Sequence, residues 1–184
     1  IQGQVRSAHD LAQAAGTSGP ILNMLFRCAI QCGKRVRAET EIGQTRLSVA
    51  SVVVELAEQR LGALQHHTAL LIGAGKISTL AARELVNAGL RCVLVANRTF
   101  ERAQKLVENL GTDHASAVHF DQLIEKLGTA DIVICSTGAP HIVLHAEDVA
   151  PVMKLRPQRP LLVVDLALPR DADPALDAIP QVDL

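Results

Sequence analysis

Three short segments of this 184-residue chain carry residues whose types and spacing can do chemistry. In Leu70-Leu71-Ile72-Gly73-Ala74-Gly75-Lys76-Ile77-Ser78 an apolar run enters a Gly-x-Gly turn and leaves it into a helical pattern. Gly73 permits a tight turn, and Gly75 lets backbone amides at a helix start approach a pyrophosphate. The third fingerprint position holds Ser78 where Gly or Ala is usual, which predicts slightly looser helix–strand packing. A Gly-x-Gly can also be a plain turn that needs positive φ. The strand–turn–helix context favours a dinucleotide site, with contacts from Gly73, Ala74, Gly75, Lys76, Ile77 and Ser78.

The second segment selects the dinucleotide. Val93-Leu94-Val95-Ala96 ends in Asn97-Arg98-Thr99, with Asn97 placed 22 residues after Gly75. NAD and FAD sites usually carry Asp or Glu here to accept from a ribose hydroxyl. No acid is available at this strand end. Arg98 can pair with a 2′-phosphate and stack on adenine, and Thr99 can donate a hydroxyl and cap the next helix. The expected cofactor is therefore NADPH. The third segment, Ser136-Thr137-Gly138, follows another apolar run and falls where the nicotinamide half should lie, as does Leu166–Asp171. Small residues there, Gly138 and Ala167, would admit a flat ring. Neither stretch offers an obvious general base, so this half is expected to hold a cofactor and not to supply the chemistry.

Five β-rich runs and four helical ones must position these loops. The runs Ala69–Ile72, Cys92–Ala96, Ala115–Val118, Ile132–Cys135 and Leu161–Val164 alternate with Thr79–Ala88, Thr99–Leu110, Asp121–Leu127 and Ala146–Met153. Strands apolar on both faces and separated by single helices predict a doubly wound parallel α/β sheet of Rossmann type. The first 60 residues instead look helical throughout. Val5, Ala8, Leu11, Ala12 and Ala15 repeat at helical spacing, and Gly16–Pro20 breaks the run. Ile21, Leu25, Cys28, Ala29 and Cys32 line a face of a second helix, with a break over Glu41–Thr45. A third helix capped by Ser48 or Ser51 should end near Gly62. This gives a helical segment over 1–46 ahead of a dinucleotide-binding domain over 47–184.

Composition removes several other classes. Formal net charge is −1, with 48% hydrophobic and 20% charged residues, which is globular and carries no large field. No apolar run reaches the ~18 residues of a membrane span. Trp and Tyr are absent and Phe occurs three times, so a platform for stacking single-stranded bases is not expected. Four cysteines without regular spacing fit a reducing, cytoplasmic setting. The start at Ile1-Gln2-Gly3-Gln4 reads as an interior cut. Charge is uneven: residues 1–47 hold six Lys/Arg against three Asp/Glu, the remainder twelve against sixteen.

Taken together, several segments resemble glutamyl-tRNA reductase. They are Gly3-Gln4-Val5-Arg6, Leu25–Ala29, Gly33-Lys34-Arg35-Val36-Arg37-Ala38-Glu39-Thr40-Glu41-Ile42-Gly43, the Gly73–Ser78 loop, Ala96–Thr99, Ala130–Gly138 and Asp165-Leu166-Ala167-Leu168-Pro169-Arg170-Asp171. The resemblance implies an NADPH-dependent reduction of glutamyl-tRNA(Glu) to glutamate-1-semialdehyde, through a cysteine thioester, in tetrapyrrole (porphyrin) biosynthesis. It implies a homodimer and a partner in glutamate-1-semialdehyde aminomutase. The family's nucleophile stands in a Cys-Asn-Arg context that this chain lacks, so no catalytic residue is expected in it. By the same resemblance, 1–46 is the end of the catalytic domain, and Gln4 is the substrate-contacting residue carried over.

The remaining candidates read as structural. Cys28 and Cys32, spaced i, i+4, look like buried small apolar residues, and Cys135 like a core residue near the cofactor. His141 and His145 share that spacing without a ligand pattern, so no metal site is expected. His66-His67 reads as a polar loop. Lys34–Arg37 either touches tRNA phosphates or is a basic helix end. Two other functions share the loop motifs: a shikimate-dehydrogenase-like NADP oxidoreductase, whose tyrosine-bearing segment cannot occur in a chain without Tyr, and a non-catalytic NADP-binding module.

Overall fold

The computed structural model describes residues 2–40 and 48–184. The chain divides into two compact units, residues 1–47 and 48–184. In the first, α1 (Gln2–Ala14) and α2 (Pro20–Glu39) form a helical hairpin, with Pro20 in the first turn of α2 where its missing N–H costs nothing. The buried residue of α1 is His9. Its Nε2 lies 2.9 Å from Asn23 Oδ1 and its ring stacks on Phe26 at 4.9 Å. The partly covered stripe of α2 is thus Asn23, Phe26, Ile30 and Gly33. This corrects the expected face: Ile21 and Leu25 are 78% and 60% exposed, and Cys28 and Cys32 are exposed thiols, not buried ones. Both stripes have helical spacing, and the polar His9–Asn23 pair decides which one turns inward. The break expected over Glu41–Thr45 and the boundary expected at 46/47 lie outside the described residues.

The second unit opens with α3 (Val49–Leu61). Ser48 caps it by accepting from the Ser51 amide at 3.1 Å, and Gly62 ends it at φ +76°. Six parallel strands follow: β1 (Thr68–Ile72), β2 (Cys92–Ala96), β3 (Ala115–Val118), β4 (Ile132–Cys135), β5 (Leu161–Asp165) and β6 (Val182–Asp183). Between them run α4 (Lys76–Asn87), α5 (Phe100–Leu110), the short α6 (Leu123–Leu127) and α7 (Ala146–Lys154). The spatial order β3-β2-β1-β4-β5-β6 is that of a doubly wound dinucleotide-binding sheet. β6 escaped sequence reading because two residues carry no alternation.

β1 and β4 are buried along their whole length, and alternate residues feed two apolar layers. Ala69 and Leu71 pack with α3, α4 and α5 through Val53, Ala57, Ala82, Leu85 and Leu106. Leu70 and Ile72 pack with α6 and α7 through Leu127, Val149 and Met153. At the sheet's opposite end from the chemistry-bearing loops, Asp131 enters β4 as a buried carboxylate. It accepts from Arg159 at 2.6 and 2.9 Å and from the Thr68 amide at 2.9 Å. Arg156, also buried, donates to the carbonyls of Leu127, Ala130 and Pro160. Two of these carbonyls lie at or just past the end of α6 and the third just before β5, so Arg156 ties the two together.

Candidate functional site

The loops singled out by sequence meet beyond the carboxyl ends of β1, β2, β4 and β5, where the strand order reverses between β1 and β4. Gly73 sits at φ +110°, and its amide donates to the Ala96 carbonyl at 2.8 Å, tying the β1 loop to β2. A Cβ at Gly73 would lie 2.7 Å from the Ser136 carbonyl oxygen, so only glycine fits. Gly75 differs. It precedes α4 at φ −86° without a side-chain cap, and a Cβ there would meet nothing within 4 Å. Its space is open toward the first amides of α4, at Lys76, Ile77 and Ser78, which have no intrahelical acceptor. That is the cradle an anionic diphosphate needs.

α4 starts at Lys76, directly from the Gly-rich turn and three residues earlier than the Thr79 start expected. Ser78 is fully buried and its hydroxyl hydrogen-bonds the Ser136 hydroxyl. The looser packing expected from Ser78 is therefore absent: the serine closes the gap with a hydrogen bond to the β4 loop.

Asn97, Arg98 and Thr99 occupy the end of β2. Asn97 donates through Nδ2 to the Thr99 carbonyl at 2.8 Å, which shapes the turn into α5. Thr99 stands at the N-cap position but its side chain makes no capping bond, correcting that expectation. Arg98 is exposed. Arg102, in the first turn of α5, lines the same cleft of about 350 Å³ as Asn97, Arg98 and Thr99, opposite Thr137–Pro140. Sequence reading missed Arg102, although its i, i+4 spacing from Arg98 was the available signal.

The β4 loop is held from below. Asp171 is fully buried and accepts from the Thr137 amide at 2.6 Å and the Thr137 hydroxyl at 2.5 Å. Asp165, at the end of β5, accepts from the amides of Ala167, Asp171 and Ala172 at 3.0–3.1 Å. A second cleft of about 360 Å³ beyond β5 is lined by Asp165, Arg170, Pro174, Asp177 and Leu184. Gln4 is exposed on α1 in the helical unit. A basic groove in that unit, about 330 Å³, is lined by Gln2, Gly3, Arg6, Ile30, Lys34 and Arg37.

Neither thiol of the sheet domain is poised as a nucleophile at this site. Cys135 is fully buried; burial, and then the charges of Asp165 and Asp171, push its thiol well above the usual cysteine range. Cys92 opens β2 at the far end of the sheet, and burial raises its thiol too. Among the described residues no group of three or more His, Cys, Asp or Glu is placed to hold a metal.

Residues 1–40 match the family model described as glutamyl-tRNAGlu reductase, N-terminal domain, and residues 55–184 match that of shikimate / quinate 5-dehydrogenase. Glutamyl-tRNA reductase from Methanopyrus kandleri is 43% identical over 98% of this chain, and that from Citrifermentans bemidjiense 44% identical over 97%. The chain belongs to the glutamyl-tRNA reductase family. It spans 44% and 41% of the length of those two relatives. The solved glutamyl-tRNA reductase of M. kandleri superposes with a TM-score of 0.70, covering 99% of this chain and 45% of that one. The nucleotide-binding domain of the Thermoplasma volcanium glutamyl-tRNA reductase, 16% identical, shares the fold at a TM-score of 0.56 over 74% of this chain and 85% of that one. Within the glutamyl-tRNA reductase family, then, residues 55–184 form the dehydrogenase-type sheet domain.

Proposed function

We propose that this chain is the NADPH-holding part of a glutamyl-tRNA reductase that converts glutamyl-tRNA(Glu) to glutamate-1-semialdehyde in tetrapyrrole biosynthesis. The observation that carries the cofactor choice is the cleft at the end of β2, which Arg98 and Arg102 both line and no carboxylate does. Two guanidiniums fit a 2′-phosphate, and an acid at that place would repel it. The open space over Gly75 and the free amides of α4 fit the diphosphate.

When bound, NADPH supplies a hydride. The chain's own residues do the holding. Gly73, Ala74, Gly75, Lys76, Ile77 and Ser78 form the phosphate turn, Asn97, Arg98 and Thr99 take the adenosine end, and Ser136, Thr137 and Gly138 form the facing wall. Gln4 is assigned to the glutamyl substrate. The thioester-forming cysteine is assigned to the rest of the full-length protein, since none of the four cysteines here stands in the Cys-Asn-Arg context of the family's nucleophile. Residues 1–46 then belong to the catalytic domain and 47–184 to the NADP domain. A cytoplasmic homodimer that hands its aldehyde to glutamate-1-semialdehyde aminomutase completes the proposal. For this chain no described helix is long and apolar enough to cross a membrane.

A shikimate-dehydrogenase-like oxidoreductase explains the match over 55–184 but not the one over 1–40. The test is a fluorescence titration of the chain with NADPH and NADH. Tighter binding of NADPH is expected; equal affinities would overturn the cofactor assignment.

A further inference from the structure

The wall of the cofactor cleft formed by Thr137–Pro140 has no regular secondary structure, so its shape must be imposed by other groups. Nearly all of that work falls to one residue. The Asp171 carboxylate takes both the amide and the hydroxyl of Thr137, and the Asp171 carbonyl takes the amides of Val143 and Leu144 at 2.7 and 3.0 Å. A parallel bridge between Leu144 and Ala172 adds to the same attachment. The Thr137 hydroxyl, its proton committed to Asp171, accepts from the Ala139 amide at 3.1 Å. Of the three consecutive amides at 137–139, two are satisfied within the protein, and that of Gly138 has no partner among the described residues.

Asp171 is an expensive choice for a structural peg. It is fully buried, and among the described residues no cation lies within ion-pair distance of it. A buried carboxylate without a cation lowers stability, and a neutral side chain of similar volume would cost less. Such a cost at a site wall is the pattern expected when geometry is kept at the expense of stability.

We propose that Asp171 is a positioning residue for the cofactor: through Thr137 it fixes the Gly138–Pro140 wall, which lines one cleft with Arg98 and Arg102 and therefore faces the adenosine half, not the nicotinamide half expected for Ser136–Gly138. This rests on the NADPH reading above. Asp171 acts only through Thr137 and not by contact with the cofactor.

The test measures NADPH affinity and thermal midpoint together for the unsubstituted chain, Asp171→Asn, Thr137→Ser and Thr137→Val. Asp171→Asn is expected to weaken NADPH binding tenfold or more while its midpoint holds or rises. Thr137→Ser, which keeps the hydroxyl, should bind at least fivefold tighter than Thr137→Val. Affinity of Asp171→Asn within twofold of the unsubstituted chain would overturn the proposal. So would affinity and midpoint falling together, because that is what a purely structural peg predicts. If Asp171→Asn does not fold, equal affinities of the two Thr137 variants overturn it instead. An unsubstituted chain that binds no NADPH removes the cofactor reading itself, whereas binding that is indifferent to these variants removes only this inference.

Discussion

The Gly73 α-carbon and the Ser136 carbonyl touch so closely that a Cβ on Gly73 would stand 2.7 Å from that oxygen. The phosphate turn and the β4 loop are therefore fitted backbone to backbone. Gly73→Ala should destabilise the domain by about 1–3 kcal/mol, combining the cost of φ +110° with the clash. Gly75→Val should leave stability nearly unchanged, since a Cβ there meets nothing, yet abolish binding of NADPH and NADH alike. Denaturant melts and cofactor titrations of the two variants check this contrast; loss of fold in both would refute it.

Arg98→Ala should weaken NADPH binding by about 1–3 kcal/mol, the range for a lost charge-assisted contact, and leave NADH nearly unaffected. Arg102→Ala is expected to act in the same direction, because both guanidiniums line one cleft. Isothermal titration with NADPH, NADH and 2′,5′-ADP measures it. A parallel loss for NADPH and NADH would refute the phosphate-binding role.

Acid should unlock the far end of the sheet. Burial pushes the Asp131 carboxyl up, but the hydrogen bonds from Arg159 and the Thr68 amide, with the charges of Arg159 and His67, outweigh it and hold the group below the usual carboxylate range. A carboxyl depressed in the folded state stabilises above its unfolded pKa of about 3.9 and loses that contribution as pH falls through its lower folded value. Urea melts between pH 3 and 7 should show stability dropping below about pH 4. Asp131→Asn should flatten that drop, and Asp131→Ala should cost about 1–3 kcal/mol at neutral pH by leaving the Thr68 amide and the half-exposed Arg159 without their acceptor. An unchanged acid limb in Asp131→Asn would contradict the assignment.

Thiol chemistry separates the four cysteines. Cys28 and Cys32 should alkylate readily in the native chain, Cys92 slowly, and Cys135 only after unfolding. With no cysteine in the Cys-Asn-Arg context of the family's nucleophile, the chain should hold NADPH yet oxidise none in a single-turnover assay with glutamyl-tRNA. Without a covalent link the substrate forfeits an effective molarity on the order of 10⁵ M. Turnover that disappears on alkylation of a single cysteine would relocate the nucleophile to this chain.

Much of this arrangement was legible in the sequence for a physical reason: strands buried on both faces must be continuous apolar runs, as in Leu70–Ile72 and Ile132–Cys135. The Gly-rich turn and Asn97–Thr99 were equally visible, because their chemistry is local. What stayed hidden depends on partners distant in sequence. Asp171 holds Thr137 from 34 residues away, and nothing beside it marks that bond. Arg156 serves four carbonyls as a buried staple, although composition makes any arginine look solvated. The inward face of α2 is chosen by His9 and Asn23, a polar pair that apolar spacing overlooks.

The pairing of β1 with β4 joins residues such as Ile72 and Cys135, 63 positions apart, while β1–β2 and β4–β5 pair strands separated by one crossover each. The loop-closure entropy for that central seam grows with the logarithm of the intervening length, so it is met only after nearer contacts have formed. Each half of the sheet can assemble locally, from β1 to β3 and from β4 to β6; joining them is the non-local step that should limit the refolding rate. Since the phosphate turn lies on one half and the Thr137 wall on the other, the complete cofactor cleft comes into being only at that step.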